Sequence, residues 1–479
     1  MLWRKNKSSN INRSDNPHSL DYPILWWTQQ DDWTVRDACE GTFILGSIGS
    51  GKTSGSGSFI AKSFISAGYG GLVLTVKKDE LDVWKKYCQF TGVPLDNLIT
   101  MCPENKWHFN FLDYELSRTS RGGGFTQNLV SLFYEIMDAF DKGNGSTSAR
   151  DPYWERAAKE LLANSIELIR LSGEKLTIGL LDEIILSAPM SLEIIHSKDW
   201  QKFSTCFRLI NESQIKHGYE GDANETFKYW LNRFPTLAEK TRSVVVSTFT
   251  SISNFLLRGV LNDMFCQDTN FTPELCHHGA IWVVDMPVEL FGDVGRIAQI
   301  ICKIMFQRAA KERDINNNDL PIFLWADEAQ HFFVSQDIMF QSTARSTRTM
   351  SVYLTQNLPL VYMALGGGPQ ADNEARALLG NLKTKIFHQN DCTITNMYGA
   401  ELISKGTTYR MSFGGQTRAG ETGDSYNWQE IEDWLVKPQV FQSLQTGGPR
   451  NNNCVEGIVF VSGRTIGGNR YIKSVFKQV

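Results

Sequence analysis

The chain of 479 residues lacks the segments that would carry it into or across a membrane. No stretch approaches the roughly 18 consecutive apolar residues that a membrane-spanning helix needs. The segment from Met1 to Arg13 is basic and polar, without the apolar core of a signal peptide. We therefore expect a cytoplasmic protein with no transmembrane segment of its own.

Paired cysteines, clustered metal ligands and a strong excess of positive charge are also missing. The nine cysteines are scattered from Cys39 to Cys454 without a C-x-x-C pair, which favours free thiols over disulfides or zinc. Cys276-His277-His278 could suggest a metal site, but no second group of ligands follows at a recognisable spacing. The net charge of -4 excludes a protein coated with positive charge, although it is compatible with a basic channel built from a few residues per subunit.

What the chain does contain is a complete phosphate-binding pattern. The pattern G-x-x-x-x-G-K-[ST] is matched by Gly46, Ser47, Ile48, Gly49, Ser50, Gly51, Lys52 and Thr53. An apolar run typical of a buried strand precedes it, and apolar residues at helical spacing follow it, which a chance glycine-rich turn would not explain. The glycines let backbone N–H groups face phosphate oxygens, Lys52 would reach the β- and γ-phosphates, and Thr53 would ligate magnesium. We predict a site for a nucleoside triphosphate and Mg²⁺.

A second pattern supplies acidic groups that hydrolysis would need. The buried-strand run from Ile322 to Ala326 ends in Asp327 and Glu328. Asp327 would face the magnesium ion, through water or Thr53, and Glu328 would polarise the attacking water. An apolar run followed by two acids is more often a strand that ends at the surface, but the complete phosphate loop in the same chain favours the functional interpretation.

Two further side chains are candidates for the same chemistry. Gln356 follows the strand from Ser351 to Thr355 and could bond to the γ-phosphate or its water. Arg345, at a subunit edge, could act as an arginine finger on a neighbour's nucleotide. Solvated arginines or surface ion pairs explain Arg345 and Arg348 equally well.

Short apolar runs typical of strands alternate with helical segments along the chain. This alternation predicts an α/β fold with a mainly parallel central sheet. A long helical stretch interrupts this rhythm, and Gly414 to Asn427 is typical of a polar, glycine-rich loop. We also predict a loop from Asp141 to Arg150. The predicted division is 1–30, a polar N-terminal arm; 31–114, the first part of the nucleotide-binding domain; 115–262, an all-helical insertion; and 263–479, its second part.

The whole set resembles the coupling proteins of type IV secretion and conjugation, the TraG/TraD/TrwB group within the FtsK/HerA class of DNA-pumping ATPases. The resemblance extends over residues 40 to 465 and rests also on three further stretches: Lys78 to Leu81, Asn381 to Ile386, and Val455 to Gly463. It differs in two respects, since the family usually has N-terminal transmembrane helices and an acidic residue where this chain has Val76.

The resemblance implies a RecA-like P-loop NTPase with an inserted all-helical domain, assembled as a homo-hexamer. It implies ATP and Mg²⁺ as ligands, Lys52 and Thr53 at phosphate and magnesium, and Asp327 and Glu328 as the Walker B acid and base. It also implies Arg345 as a finger in trans and Gln356 as a sensor. DNA would be the substrate, and a relaxase or type IV secretion components the partners, which could hold the chain peripherally at the inner membrane.

Three functions stay open at this point. The first is an ATP-driven DNA translocase of the coupling type, with Lys77, Lys78 and His331-Phe332-Phe333 as guesses for pore elements, although core packing is the more common fate of such phenylalanines. The second is a HerA-like motor in DNA processing or anti-phage defence, working with a nuclease. The third is a nucleotide-dependent scaffold, against which Glu328 argues because a scaffold needs no base. A small GTPase is disfavoured because no Asn-Lys-x-Asp motif exists.

Overall fold

The computed structural model describes residues 15–104, 107–120, 123–143, 152–418 and 421–478. Within these ranges the strands are β1 Pro23–Trp26, β2 Asp32–Thr34, β3 Thr42–Leu45, β4 Gly70–Leu74, β5 Leu98–Met101, β6 Ile281–Val284, β7 Ile322–Ala326, β8 Thr349–Thr355, β9 Thr384–Phe387, β10 Lys405–Arg418, β11 Glu421–Trp434, β12 Cys454–Val461 and β13 Tyr471–Lys477.

The central sheet has nine strands in the order β13-β12-β9-β3-β8-β7-β4-β6-β5. From β9 to β5 the neighbouring strands pair in parallel, whereas β12 pairs antiparallel with both β9 and β13 at one edge. Continuous apolar runs such as TFIL in β3 and IFLWA in β7 form these strands because both faces of a parallel sheet are covered. The predicted α/β fold with a mainly parallel sheet is confirmed.

Both faces of the sheet carry a hydrophobic core. Alternate strand residues point to opposite sides, so Phe43 and Leu45 join one core while Ile44 joins the other. Leu324 and Trp325 divide between the two cores in the same way. Trp27 is buried in the second core against Trp33.

The helices cover these faces and form a large block between β5 and β6. Their bounds are α1 Val35–Cys39, α2 Ser58–Ser66, α3 Glu80–Thr91, α4 Phe111–Leu116, α5 Thr126–Gly143, α6 Pro152–Ser172, α7 Ile178–Leu186, α8 Lys198–Phe203, α9 Thr205–His217, α10 Gly221–Lys228, α11 Phe234–Thr236, α12 Glu239–Leu256, α13 Gly259–Phe265, α14 Val288–Glu312, α15 Gln336–Thr343, α16 Leu358–Ala364, α17 Gly368–Asn381, α18 Thr393–Ile403 and α19 Pro438–Gln442. Short 3₁₀ or π turns occupy Thr53–Gly57, Leu95–Asn97, Ile194–His196, Tyr229–Arg233, Pro273–His278, Ala329–His331 and Pro449–Asn451.

The described residues between β5 and β6 contain helices and turns but no strand. Residues 244 to 256 lie within α12, as their helical spacing predicts, although Val244 to Phe249 looks locally like a strand. No described helix is by itself long and apolar enough to span a membrane; only α12 with α13, bent by 88° at their junction, passes such a test as a pair.

The structure bears on the two loops predicted from the sequence. The loop predicted from Gly414 to Asn427 is wrong, because β10 and β11 pair antiparallel through this region. Among the flanking residues only 409–412 alternate apolar and polar side chains, which is too short a run to predict a strand beside the glycines. The loop predicted from Asp141 to Arg150 lies mostly outside the described residues, and α5 continues to Gly143. All nine cysteines are free, as predicted.

Candidate functional site

The phosphate loop follows β3 and leads through the turn Thr53–Gly57 into α2. Gly49 and Gly51 have φ values of 74° and 82°, in the left-handed region that glycine adopts without strain. Gly46 has no room for a side chain, because a β-carbon there would collide with Ser50 and His388. These positions explain why the loop needs glycines where the pattern has them.

The glycines that continue beyond the loop also have a structural reason. The turn Thr53–Gly57 is a π turn, in which the Gly57 N–H donates to the Lys52 carbonyl at 2.9 Å. A β-carbon on Gly57 would lie 2.9 Å from that same carbonyl oxygen, so the helix could not close this tightly. Gly55 packs against Val455 and Phe476 of the sheet edge. Glycine is therefore required at Gly57 by close approach.

The phosphate loop and the end of β7 meet through two direct contacts. Lys52 Nζ donates to Glu328 Oε1 at 3.0 Å, and Thr53 Oγ1 donates to Asp327 Oδ2 at 2.7 Å. The Lys52 and Glu328 side chains are each only 7% exposed. More than 270 positions separate the partners in the sequence, and parallel pairing brings them to one edge of the sheet.

Glu328 is held in an unusual backbone conformation. Its φ of 47° and ψ of 49° lie in the left-handed region, which costs a non-glycine residue on the order of 1 kcal/mol. Burial alone would raise the pKa of Glu328, but the charge of Lys52, with hydrogen bonds from Gln330 and Lys52 and the charge of Lys77, holds it below its ordinary value. Glu328 is therefore an anion at neutral pH.

The second oxygen of Glu328 faces two glutamines. Gln330 Nε2 donates to Glu328 Oε2 at 3.0 Å, and Gln356 Nε2 donates to the same oxygen at 3.3 Å. Gln330 also accepts a bond from Thr355 Oγ1, at 2.7 Å, through its own side-chain oxygen. The structure thus brings Gln356 to Glu328, and adds Gln330, which the sequence analysis missed although it lies two residues after Glu328.

Lys77 is the other residue of this site that the sequence analysis misplaced. Its Nζ lies 3.8 Å from Asp327 Oδ2 and 3.7 Å from Glu328 Oε1. Burial alone would lower the pKa of Lys77, but the charges of Asp327 and Glu328 raise it. The signal was its position just after β4, which pairs in parallel with β7, so both strands end at the same edge.

A cavity of about 860 Å³ opens beside these residues. The phosphate loop, Lys77, Glu328 and Gln356 line one part of it, and Lys62, Tyr87 and Phe90 line another. Lys62 Nζ lies 5.1 Å from the ring centre of Tyr87 and 4.6 Å from that of Phe90. The cavity therefore has lysine side chains beside the phosphate loop and aromatic side chains at its other part. This combination suits phosphates at one end and a planar base at the other.

The residues predicted to hold magnesium fit that ion. Mg²⁺ keeps several waters and takes few protein oxygens, often one carboxylate with phosphate oxygens. Thr53 and Asp327 present a hydroxyl and a carboxylate side by side. No group of three or more His, Cys, Asp or Glu side chains that could hold a metal occurs among the described residues, so Cys276-His277-His278 forms no such cluster.

Glu80 is a buried carboxyl group at the same edge, at the start of α3. Its Oε2 accepts a bond from the Val76 N–H at 2.9 Å, and its Oε1 has no hydrogen-bond partner among the described residues. Burial, together with the nearby charge of Asp327, raises the pKa of Glu80 to about 8. Glu80 is therefore largely protonated at neutral pH.

Arg345 lies away from this site. Its Nη1 bonds to Glu40 Oε1 at 2.9 Å, and Lys383 Nζ lies 3.3 Å from the same oxygen. Glu40 stands just before β3, at the opposite edge of the sheet from the phosphate loop. The four residues of β3, at about 3.3 Å each, separate the two edges by about 13 Å. Arg345 is therefore absent from the pocket of its own chain.

Of the guesses for pore elements, the two phenylalanines are not supported by the positions of their side chains, whereas Lys78 is exposed and stays a guess. Phe332 and Phe333 are buried in the core, which agrees with core packing rather than exposed base stacking. His331 is partly buried, and its pKa is lowered, first by burial. Lys77 faces the acids of the nucleotide cavity, as described above.

Comparison with solved structures identifies the fold. The chain matches the bacterial conjugative coupling protein TrwBdeltaN70 in its unbound form, with a TM-score of 0.60, 12% identity, and coverage of 92% of this chain and 86% of that one. It also matches the plasmid coupling protein TrwB in complex with ADPNP, with a TM-score of 0.59, 12% identity, and coverage of 93% and 87%.

A third match is TrwB in complex with ADP and Mg²⁺, with a TM-score of 0.59, 11% identity, and coverage of 95% of this chain and 90% of that one. No family model matches the sequence, and no curated protein matches it significantly. The fold is thus that of the conjugative coupling proteins, and the predicted RecA-like P-loop class is confirmed.

Proposed function

We propose that this chain is an ATP-hydrolysing motor of the coupling-protein type, which forms a ring and moves DNA. The observation that carries the proposal is the convergence of Lys52, Thr53, Asp327 and Glu328 at one edge of the sheet. A phosphate-binding loop facing a carboxylate pair is the minimum equipment for hydrolysing a phosphoanhydride. TrwB, which shares the fold, has been solved with ADPNP and with ADP and Mg²⁺.

The roles follow from the chemistry of the groups. The loop N–H groups and Lys52 would bind the β- and γ-phosphates, and Thr53 and Asp327 would hold Mg²⁺, which supplies charge neutralisation when bound. Glu328, ionised and oriented, would accept a proton from the attacking water. Gln356 would bond to the γ-phosphate or that water and report the state of the nucleotide. Arg345 would act on the neighbouring subunit's nucleotide, and the helical block would be an inserted domain.

The cargo and assembly rest on the resemblance to the coupling proteins. We propose a homo-hexamer that delivers DNA, or a DNA–protein substrate, to a type IV secretion system through a relaxase or another component of that system. A cytoplasmic position, held at the inner membrane by a partner, completes this proposal.

The test is ATP turnover with and without single- and double-stranded DNA, at several protein concentrations. We expect turnover that DNA stimulates and that rises more than proportionally with protein concentration, because a ring must assemble. Glu328→Gln should bind ATP yet lose at least 99% of turnover. Glu401→Gln, which changes an exposed acid on α18, is the matched control and should retain full activity. Wild-type protein that binds ATP without hydrolysing it would favour the scaffold, and ATPase activity indifferent to DNA would remove the motor.

A further inference from the structure

Four hydrogen bonds link five residues at the candidate site. The backbone of the phosphate loop between Gly46 and Lys52 completes the circuit, which we call the polar ring. Lys52 bonds to Glu328, Glu328 to Gln330, Gln330 to Thr355, and the Thr355 carbonyl accepts from the Gly46 N–H at 3.3 Å. Gly46 and Lys52 both belong to the phosphate loop. The polar ring therefore connects that loop, the end of β7 and the end of β8.

Gln330 is a member of the polar ring to which no role has been given, and it contacts Glu328 directly. Its amide uses both ends, since the nitrogen donates to Glu328 Oε2 and the oxygen accepts from Thr355 Oγ1. An amide group that is hydrogen-bonded through both its nitrogen and its oxygen is held in one orientation by its two partners. The left-handed backbone of Glu328 leads directly into the short 3₁₀ turn Ala329–His331 that carries Gln330. The turn thus returns Gln330 to the carboxylate two residues before it.

We propose that Gln330 is the positioning residue of Glu328, which fixes the carboxylate by anchoring its Oε2 to strand β8. This inference rests on the proposed function, because it assigns a task to Gln330 only if Glu328 acts on water. Gln330 touches neither phosphate nor water in this assignment. It acts through Glu328.

The geometry gives Gln330 a distinct task when a triphosphate is bound. Lys52 is the partner of Glu328 Oε1 in this structure, and its ammonium group is also the group that must bind the phosphates. A lysine drawn to phosphate leaves Oε1 with only the more distant Lys77, 3.7 Å away, and the carboxylate then depends mainly on its Oε2 contacts for orientation. Of these contacts, the Gln330 bond is the shorter, at 3.0 Å against 3.3 Å from Gln356.

The test compares Gln330→Met, which keeps the length of the side chain without its polar atoms, with Gln330→Glu, which keeps the shape but loses the donor. For both variants we expect kcat to fall about 10- to 100-fold, while the Kd for ATP stays within about twofold of the wild-type value. Gln336→Met, at the start of α15, is the matched control and should leave both quantities unchanged.

The split between kcat and the Kd for ATP supplies the readout that a purely structural role would not give. A general loss of structure would lower kcat and ATP affinity together, whereas a misplaced carboxylate lowers kcat alone.

Two results would overturn the inference: an unchanged kcat in Gln330→Met, or a parallel loss of kcat, ATP affinity and melting temperature in both Gln330 variants. Failure of the underlying proposal looks different. If wild-type protein lacks ATPase activity, or if Glu328→Gln is fully active, the motor itself is refuted. If those two behave as expected and Gln330→Met matches wild type, only the role of Gln330 is lost.

Discussion

The two edges of the parallel sheet carry charge in different ways. At the carboxyl edge, the Lys52, Asp327 and Glu328 side chains are no more than 7% exposed. Lys52 contacts Glu328, and Thr53 contacts Asp327, across distant parts of the sequence. At the amino edge, Arg345 is 55% exposed and pairs with Glu40 beside Lys383. Buried ion pairs are costly to assemble and to break, whereas exposed pairs contribute about 0–1 kcal/mol. The buried ion pair at the carboxyl edge is therefore already formed without a nucleotide. At the amino edge, Arg345 can exchange Glu40 for another partner at a small cost in free energy.

The positions of the strand ends decide which side chains can act together within one chain. The carboxyl edge collects the ends of β3, β4, β7 and β8, so residues just past those strands meet without any other subunit. Arg345 stands before β8, and only a second copy that presents its amino edge could bring that guanidinium group to a nucleotide.

Two lysine variants, one at each edge of the sheet, should differ most in their affinity for ATP. Lys52→Ala removes the ammonium group that faces the phosphates and should weaken ATP binding about 100-fold or more, because it removes a close charge–charge contact in a buried site. Lys383→Ala, at the amino edge, should change the Kd by less than about twofold. Equilibrium binding of a fluorescent ATP analogue measures both. Equal losses in the two variants would erase the distinction between the edges.

Arg345→Ala should reduce turnover about 10- to 100-fold while leaving ATP affinity near the wild-type value. The decisive measurement mixes Arg345→Ala with Glu328→Gln, each of which has strongly reduced turnover alone. If Arg345 acts on a neighbour, mixed rings contain sites with an intact Glu328 facing an intact Arg345, and part of the activity returns. Mixtures that stay as inactive as their components would place the effect of Arg345 within its own chain.

The smallest effect concerns the proton that Glu80 holds at the carboxyl edge. Its pKa of about 8 in the folded protein lies above the unfolded value of about 4.3, so folding favours the protonated form. This contribution to stability is fully present below about pH 4.3 and is lost as the pH rises through about 8. Glu80→Gln keeps an acceptor for the Val76 N–H and cannot ionise.

We therefore expect the melting temperature of Glu80→Gln to fall less between pH 6 and 9 than that of the wild type, by about 2–5 °C. Glu401→Gln serves again as the control and should follow the wild-type curve. Differential scanning fluorimetry across this pH range is sufficient, and parallel curves for Glu80→Gln and wild type would contradict a proton held at Glu80.

Much of the fold could be predicted because the strands of a parallel sheet are local signals. The runs that became β3 and β7 are apolar over nearly their whole length, and β8 places Met, Val, Tyr and Leu among Thr and Ser residues. Short edge strands such as β5 carry weaker patterns, and the sequence analysis missed it. The hairpin of β10 and β11 was missed because its glycines and polar residues suggested a loop, and few apolar side chains mark either strand.

The site divides in the same manner. Gly46 to Thr53, Asp327 and Glu328 have fixed spacings that reflect their chemistry, so they could be chosen from the sequence. Gln330 and Lys77 have no such pattern, and only the packing of neighbouring strands shows that they face Glu328. Their assignment needs the order of strands in the sheet. The roles of all these residues remain predictions until turnover is measured.

The Lys52–Glu328 contact has a consequence for how a nucleotide enters. In this structure Glu328 serves as the internal counter-ion of Lys52, so an arriving triphosphate exchanges one anion for another. Part of the attraction between lysine and phosphate is therefore offset by the pair that is given up, which limits affinity and favours release of the spent nucleotide. If Glu328 acts as the base, as proposed, the same exchange would separate its carboxylate from Lys52 when the γ-phosphate is in place.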